Sequence, residues 1–63
     1  MSYRNARKAA GYSIKEVSEK LDISRTSIWN WETGKGNPRL ETLKCVAELY
    51  GVSVDELLRE EAQ

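Results

Sequence analysis

Apolar side chains recur along this chain at steps of three and four and never alternate with period two, so the pattern predicts helices and no strands. Between Ser24 and Gly34, Ile28 and Trp31 lie three apart and share one helix face. Arg25, Thr26, Trp29 and Asn30 take the opposite face. Ser24 reads as the N-cap and Gly34 as the left-handed stop. Upstream, Tyr3, Ala6 and Ala10 align on a short helix ended by Gly11, with Arg7 at the border of that face. Arg4 and Lys8 are left for solvent or a polyanion. Ser13 and Glu16 form a capping-box pattern ahead of Ile14, Val17 and Leu21. Downstream, Leu40, Leu43, Val46, Ala47 and Tyr50 give one buried face, with Pro38 in the first turn and Gly51 as the stop. Ser53 and Glu56 repeat the capping box before Val54, Leu57 and Leu58. Trp31 is expected in the core, Tyr12 turned inward, and Cys45 as a small semi-buried filler. Arg39 and Lys44 are expected as plain surface charges. The expected segments are 3–10, 14–21, 25–32, 39–50 and 54–60, in a single all-α domain over 1–63.

Only Asp22 and Ile23 stand between Leu21 and the cap at Ser24. Two helices joined that tightly cross steeply, in the helix-turn-helix manner. A residue in such a turn often needs positive φ, which Asp tolerates better than most side chains but less well than Gly.

Composition narrows the picture. Sixty-three residues build a small core, with a stability margin of roughly 3–5 kcal/mol. One cysteine and no histidine argue against a metal cluster and suit a reducing cytosol. No apolar run approaches the roughly 20 residues of a membrane span, and no apolar core follows Arg4, Arg7 and Lys8 as a signal peptide would require. Ten basic and ten acidic side chains cancel. Their distribution is uneven: residues 1–35 hold seven basic against four acidic, and 36–63 hold three against six. The positive half carries the 25–32 helix.

The exposed face of that helix has the chemistry of a reader of DNA. Arg pairs bidentately with guanine and Asn with adenine in a major groove. An enzyme is disfavoured: there is no histidine, no nucleophile beside an evident base, no phosphate-cradling glycine loop and too little chain to enclose a pocket. No cofactor is expected. The rival reading is a protein-interaction module, such as an antitoxin or regulatory adaptor, which a neutral net charge and an exposed Trp29 would also suit. Salt dependence separates the two, because counterion release makes DNA binding steeply salt-sensitive.

Taken together, Arg7, Gly11, the 13–21 helix, Ile23-Ser24, Ile28, Trp31-Glu32, Gly34, Pro38, Leu40, Leu43, Ala47 and the closing Gly51-Val52-Ser53-Val54-Asp55-Glu56-Leu57 resemble the Cro/phage-repressor (XRE-like) helix-turn-helix domains over roughly residues 3–58. The resemblance implies a compact repressor-like fold and sequence-specific binding of double-stranded DNA by a cytoplasmic, nucleoid-associated transcriptional regulator. Arg25, Thr26 and Asn30 then occupy positions that reach base edges. Trp29 joins them on the same face, where its ring could meet a thymine methyl, a partner subunit or the adjacent loop. Ser24, Ser27, Thr33 and Lys35 are expected at phosphates, and Arg7 with Glu32 as a structural ion pair between the first and third helices. Two positions depart from the family's pattern. Ile14 stands where a glutamine usually touches phosphate, leaving only backbone amides there, and Ser18 replaces an alanine, adding a hydroxyl that needs a partner. A weak two-fold dimer on a palindromic site is expected, paired through the end of the fourth helix, the Tyr50-to-Val54 corner and the fifth helix.

Overall fold

Serine hydroxyls start four of the five helices. Ser2, Ser13, Ser24 and Ser53 each accept a hydrogen bond from the amide three residues on, which satisfies an otherwise orphaned donor. The computed structural model describes residues 2–59, arranged as α1 (Tyr3–Ala9), α2 (Ile14–Leu21), α3 (Arg25–Thr33), α4 (Leu40–Tyr50) and α5 (Val54–Leu58), with no strand among the described residues. At Ser13 and Ser53 the glutamate of the capping box also returns to the cap amide. The exception is α4. Its cap, Arg39, makes no side-chain capping bond, and Pro38 lies before that cap rather than inside the first turn. The helix therefore begins one residue later than its pattern suggested. Likewise α1 ends at Ala9 and α5 at Leu58, while α3 runs one residue further, to Thr33; position 60 lies outside the described residues.

The first four helices stop by one device. After each, a residue turns left-handed, and the following amide reaches back to a carbonyl five residues earlier: Tyr12 to Arg7, Ile23 to Ser18, Lys35 to Asn30 and Val52 to Ala47. Glycine supplies the left-handed residue in three cases, and Asp22 (φ 54°) in the fourth. The turn between α2 and α3 is thus the one place where the device sits on a side chain. Ser18 reinforces it. Its hydroxyl donates to the Ile23 carbonyl at 2.5 Å while its own carbonyl accepts from the Ile23 amide at 3.1 Å.

Every helix contributes to one core: Ala6 from α1, Val17 from α2, Ile28 from α3, Leu43, Val46, Ala47 and Tyr50 from α4, and Leu57 from α5. Three side chains expected inside are less covered. Leu40 falls on the α4 stripe but opens the helix and is 64% exposed. Cys45 lies off that stripe and is exposed. Trp31 sits at the core's rim, half-buried, its ring 6.3 Å from that of Tyr3. Tyr12 turns inward, with its ring 6.5 Å from that of Tyr50.

Candidate nucleic-acid interface

The cap at Ser24 and the stop at Gly34 (φ 81°) bracket α3 to nine residues, and Ile28 anchors its inner face at 1% exposure. The helix is also held from behind. Arg7 of α1 grips Glu32 with a two-pronged contact, Nε to Oε2 at 2.7 Å and Nη2 to Oε1 at 3.1 Å. Its remaining terminal nitrogen donates to the Tyr12 carbonyl at 2.9 Å. The Glu32 side chain is fully enclosed and that of Arg7 nearly so. Enclosure removes water's competition for these charges, and the two-pronged geometry returns part of the desolvation cost. Hydrogen bonding to Glu32 raises Arg7 above its ordinary value, so it remains a cation. The brace fixes α3 about its own axis, because Glu32 and Ile28 lie one turn apart on the inward side.

Along α3, Arg25 in the first turn and Thr26 beside it are exposed, and Asn30 is half-buried. None of the three side chains has a partner among the described residues, so their side-chain donors and acceptors are uncommitted. Lys35 is exposed just past the stop, and Gly36 brings the loop beside Asn30, where an added Cβ would lie 3.9 Å from that residue's own Cβ.

Hydroxyls near the face are less free. Ser24 and Ser27 share a hydrogen bond at 3.0 Å, and Ser24 also accepts from the Ser27 amide. Thr33 donates its proton to the Trp29 carbonyl at 2.9 Å. A phosphate at any of these positions meets a group already engaged within the helix. The start of α2 is also occupied. There the Ser13 amide donates to Glu16 at 2.9 Å, and the Glu16 amide donates to Ser13. The Glu16 carboxylate, held below its ordinary value by the Ser13 amide and hydroxyl, places negative charge at the start of α2.

Trp29 is 49% exposed, yet its ring is not open on all sides. The Arg4 guanidinium of α1 lies over it, 5.9 Å from the ring centroid. Arg4 Nε also lies 3.4 Å from Glu32 Oε1. Arg4 is therefore drawn onto α3 and not left on the outer face of α1. No local pattern announces this, since its partners stand 25 and 28 residues away. Around α3 the cations Arg4, Arg25 and Lys35 face outward, while the carboxylate of Glu32 is sealed inside. The neutral net charge of the chain conceals this cluster of exposed cations around α3.

A helix-turn-helix family model matches residues 4–57. The HTH-type transcriptional activator BcrR of Enterococcus faecalis is 49% identical over 43 residues, covering 68% of this chain and 21% of that protein. The HTH-type transcriptional regulator ImmR of Bacillus subtilis is 42% identical over 55 residues, covering 87% of this chain and 43% of that protein. The cryptic phage CTXphi transcriptional repressor RstR of Vibrio cholerae is 36% identical over 53 residues, covering 84% and 47%. The chain spans less than half the length of each of these relatives.

Proposed function

The chain belongs to the helix-turn-helix family, and on that premise we propose that it binds double-stranded DNA sequence-specifically, as a transcriptional regulator, with α3 in the major groove. One observation supports this reading above the rest. Arg25, Thr26 and Asn30 carry side chains without internal partners on a helix anchored at both ends and from behind. Uncommitted donors and acceptors on a rigid rod are what base-edge recognition requires. Arg25 and Asn30 take purine edges and Thr26 an adjacent base. Lys35 takes a phosphate beside the groove. Ser24 and Ser27 at the start of α3 and Thr33 at its end each reach a phosphate by exchanging the bonds they now make.

The relatives include an activator and a repressor by name. Occupation of a site by this domain would block other proteins from it, so repression by exclusion is the mode we propose, in the cytoplasm. No helix among the described residues is long and apolar enough to cross a membrane. A single module makes few base contacts, so two of them, about 34 Å apart in successive major grooves, would read a palindrome with useful affinity. Leu58, 53% exposed, and half-buried Val52 offer apolar surface for that pairing on the α4–α5 side.

Selection of bound duplexes from a random pool is the test. A palindrome should emerge, and Arg25→Ala and Asn30→Ala should each weaken it by about 1–3 kcal/mol and relax one base position. Lys35→Ala should weaken all duplexes alike. Wild-type binding by the Arg25 and Asn30 variants would show that α3 does not read. Sedimentation with and without the palindrome, repeated with Leu58→Asp, tests the dimer. Tight monomeric binding to one half-site, with no gain from the second, would defeat it.

A further inference from the structure

Two arginines share one carboxylate at the back of α3, and they share it unequally. Glu32 Oε2 receives Arg7 Nε at 2.7 Å, and Oε1 receives Arg7 Nη2 at 3.1 Å. Arg4 reaches Oε1 only with Nε and only at 3.4 Å. Arg7 therefore neutralises Glu32, and the Arg4 charge is left largely uncompensated. The Arg4 side chain is 44% exposed, and its two terminal nitrogens have no acceptor among the described residues. Its guanidinium is nevertheless held in place, over the Trp29 ring on one side and against the buried carboxylate on the other. A guanidinium loses much side-chain freedom when it grips a ligand. Here that freedom is already reduced, while the donors suited to a phosphate stay vacant.

Position completes the argument. Trp29 projects from the same helix that carries Arg25 and Asn30, so Arg4 stands at the α1 flank of the proposed reading face. The loop with Lys35 lies past the end of that face. We propose that Arg4 is a phosphate clamp for the DNA backbone at this flank, and that Trp29 is the platform which holds it there and not a reader of a base. The inference rests on the DNA-binding reading above and adds to it a contact from α1, outside the helix-turn-helix itself. Trp29 then affects affinity through Arg4, and its ring need not enter the groove.

The experiment is a salt titration of binding to the selected duplex and to an unrelated duplex of equal length. It compares wild type, Arg4→Ala, Arg4→Gln, Arg4→Lys and Trp29→Ala, each first checked for folding by urea denaturation. Losing one phosphate contact should flatten the slope of log affinity against log salt by about 0.9 on both duplexes. Between 50 and 200 mM salt, the Arg4→Ala and Arg4→Gln proteins should thus lose about three- to fourfold less affinity than wild type does. Arg4→Lys should keep the wild-type slope, because it keeps the charge. Trp29→Ala should weaken both duplexes alike, without changing base preference. A wild-type slope in Arg4→Gln, whatever its affinity or stability, would make Arg4 a structural strut only and overturn the clamp. A change of preference at one base pair in Trp29→Ala would return the ring to the groove and overturn the platform. A wild type that binds neither duplex, or binds without salt dependence, would instead reject the DNA-binding reading, and the clamp with it.

Discussion

Removing Glu32 is the perturbation whose consequence the structure defines most sharply. Its carboxylate is fully enclosed and receives Arg7 through two hydrogen bonds and Arg4 through a longer one. Glu32→Ala leaves the Arg7 guanidinium nearly buried, with only the Tyr12 carbonyl as partner. Arg7→Ala leaves a sealed carboxylate with Arg4 at 3.4 Å. Breaking a buried pair from one side costs about 3–5 kcal/mol, and Arg7 is slightly open to solvent, so about 2–4 kcal/mol is expected for either single change. A domain this size holds roughly 3–5 kcal/mol in all, so each variant sits at or near the edge of unfolding. The assay is urea denaturation of both singles and of the double. With a slope near 1 kcal/mol per molar, the midpoint should fall by about 2 M or more in each single variant. The double variant should cost clearly less than the two singles added, with a coupling of about 1.5 kcal/mol or more. Tyr50 gives a second readout. Burial, then the Glu32 charge, push its phenol up to about 12, while Arg7 opposes. In folded Glu32→Ala its titration should move down, toward 10. Single variants within about 0.5 kcal/mol of wild type and additive in the double would refute the brace, leaving an ordinary surface-type pair.

Three further outcomes are expected. Asp22→Gly should raise stability by about 0.5–1 kcal/mol, because it removes a side chain from a left-handed position and a carboxylate from the negative end of α2; a lower urea midpoint would contradict this. Ser18→Ala should cost about 0.5–1.5 kcal/mol by leaving the Ile23 carbonyl without its hydroxyl donor, and thermal denaturation with no loss would show that bond to be idle. Raising the pH should destabilise the fold: the Tyr50 pKa is raised from 10 to about 12, so its stabilising contribution is intact below 10 and disappears as pH climbs through 12. Tyr50→Phe should blunt that alkaline loss, and an unchanged pH profile would remove the assignment.

The Ser2 cap was not singled out by the chain's pattern, and α4 starts after Arg39 rather than with it. The starts at Ser13, Ser24 and Ser53 and the stops at Gly11, Gly34 and Gly51 were legible because they are settled within one turn. A serine hydroxyl and an amide three residues on, or a glycine and a carbonyl five residues back, meet whatever the remainder of the fold does. The same locality made Asp22 legible as the left-handed residue of the α2–α3 turn. Periodicity marked which face of each helix turns inward, but not how far along that face the covering extends. Leu40 follows the α4 stripe and is exposed; Trp31 follows the α3 stripe and reaches only the rim; Cys45 faces outward. Burial depends on what lies opposite, and a helix pattern carries no record of its neighbours. The partner of Ser18 came from the geometry of the turn, and that of Arg4 from the packing of α1 on α3. Local spacing set Arg7 at the border of the α1 face and Arg4 outside it, but could not say what either guanidinium meets. Only the folded arrangement gives Arg7 the two-pronged grip on Glu32 and leaves Arg4 over Trp29 with donors to spare.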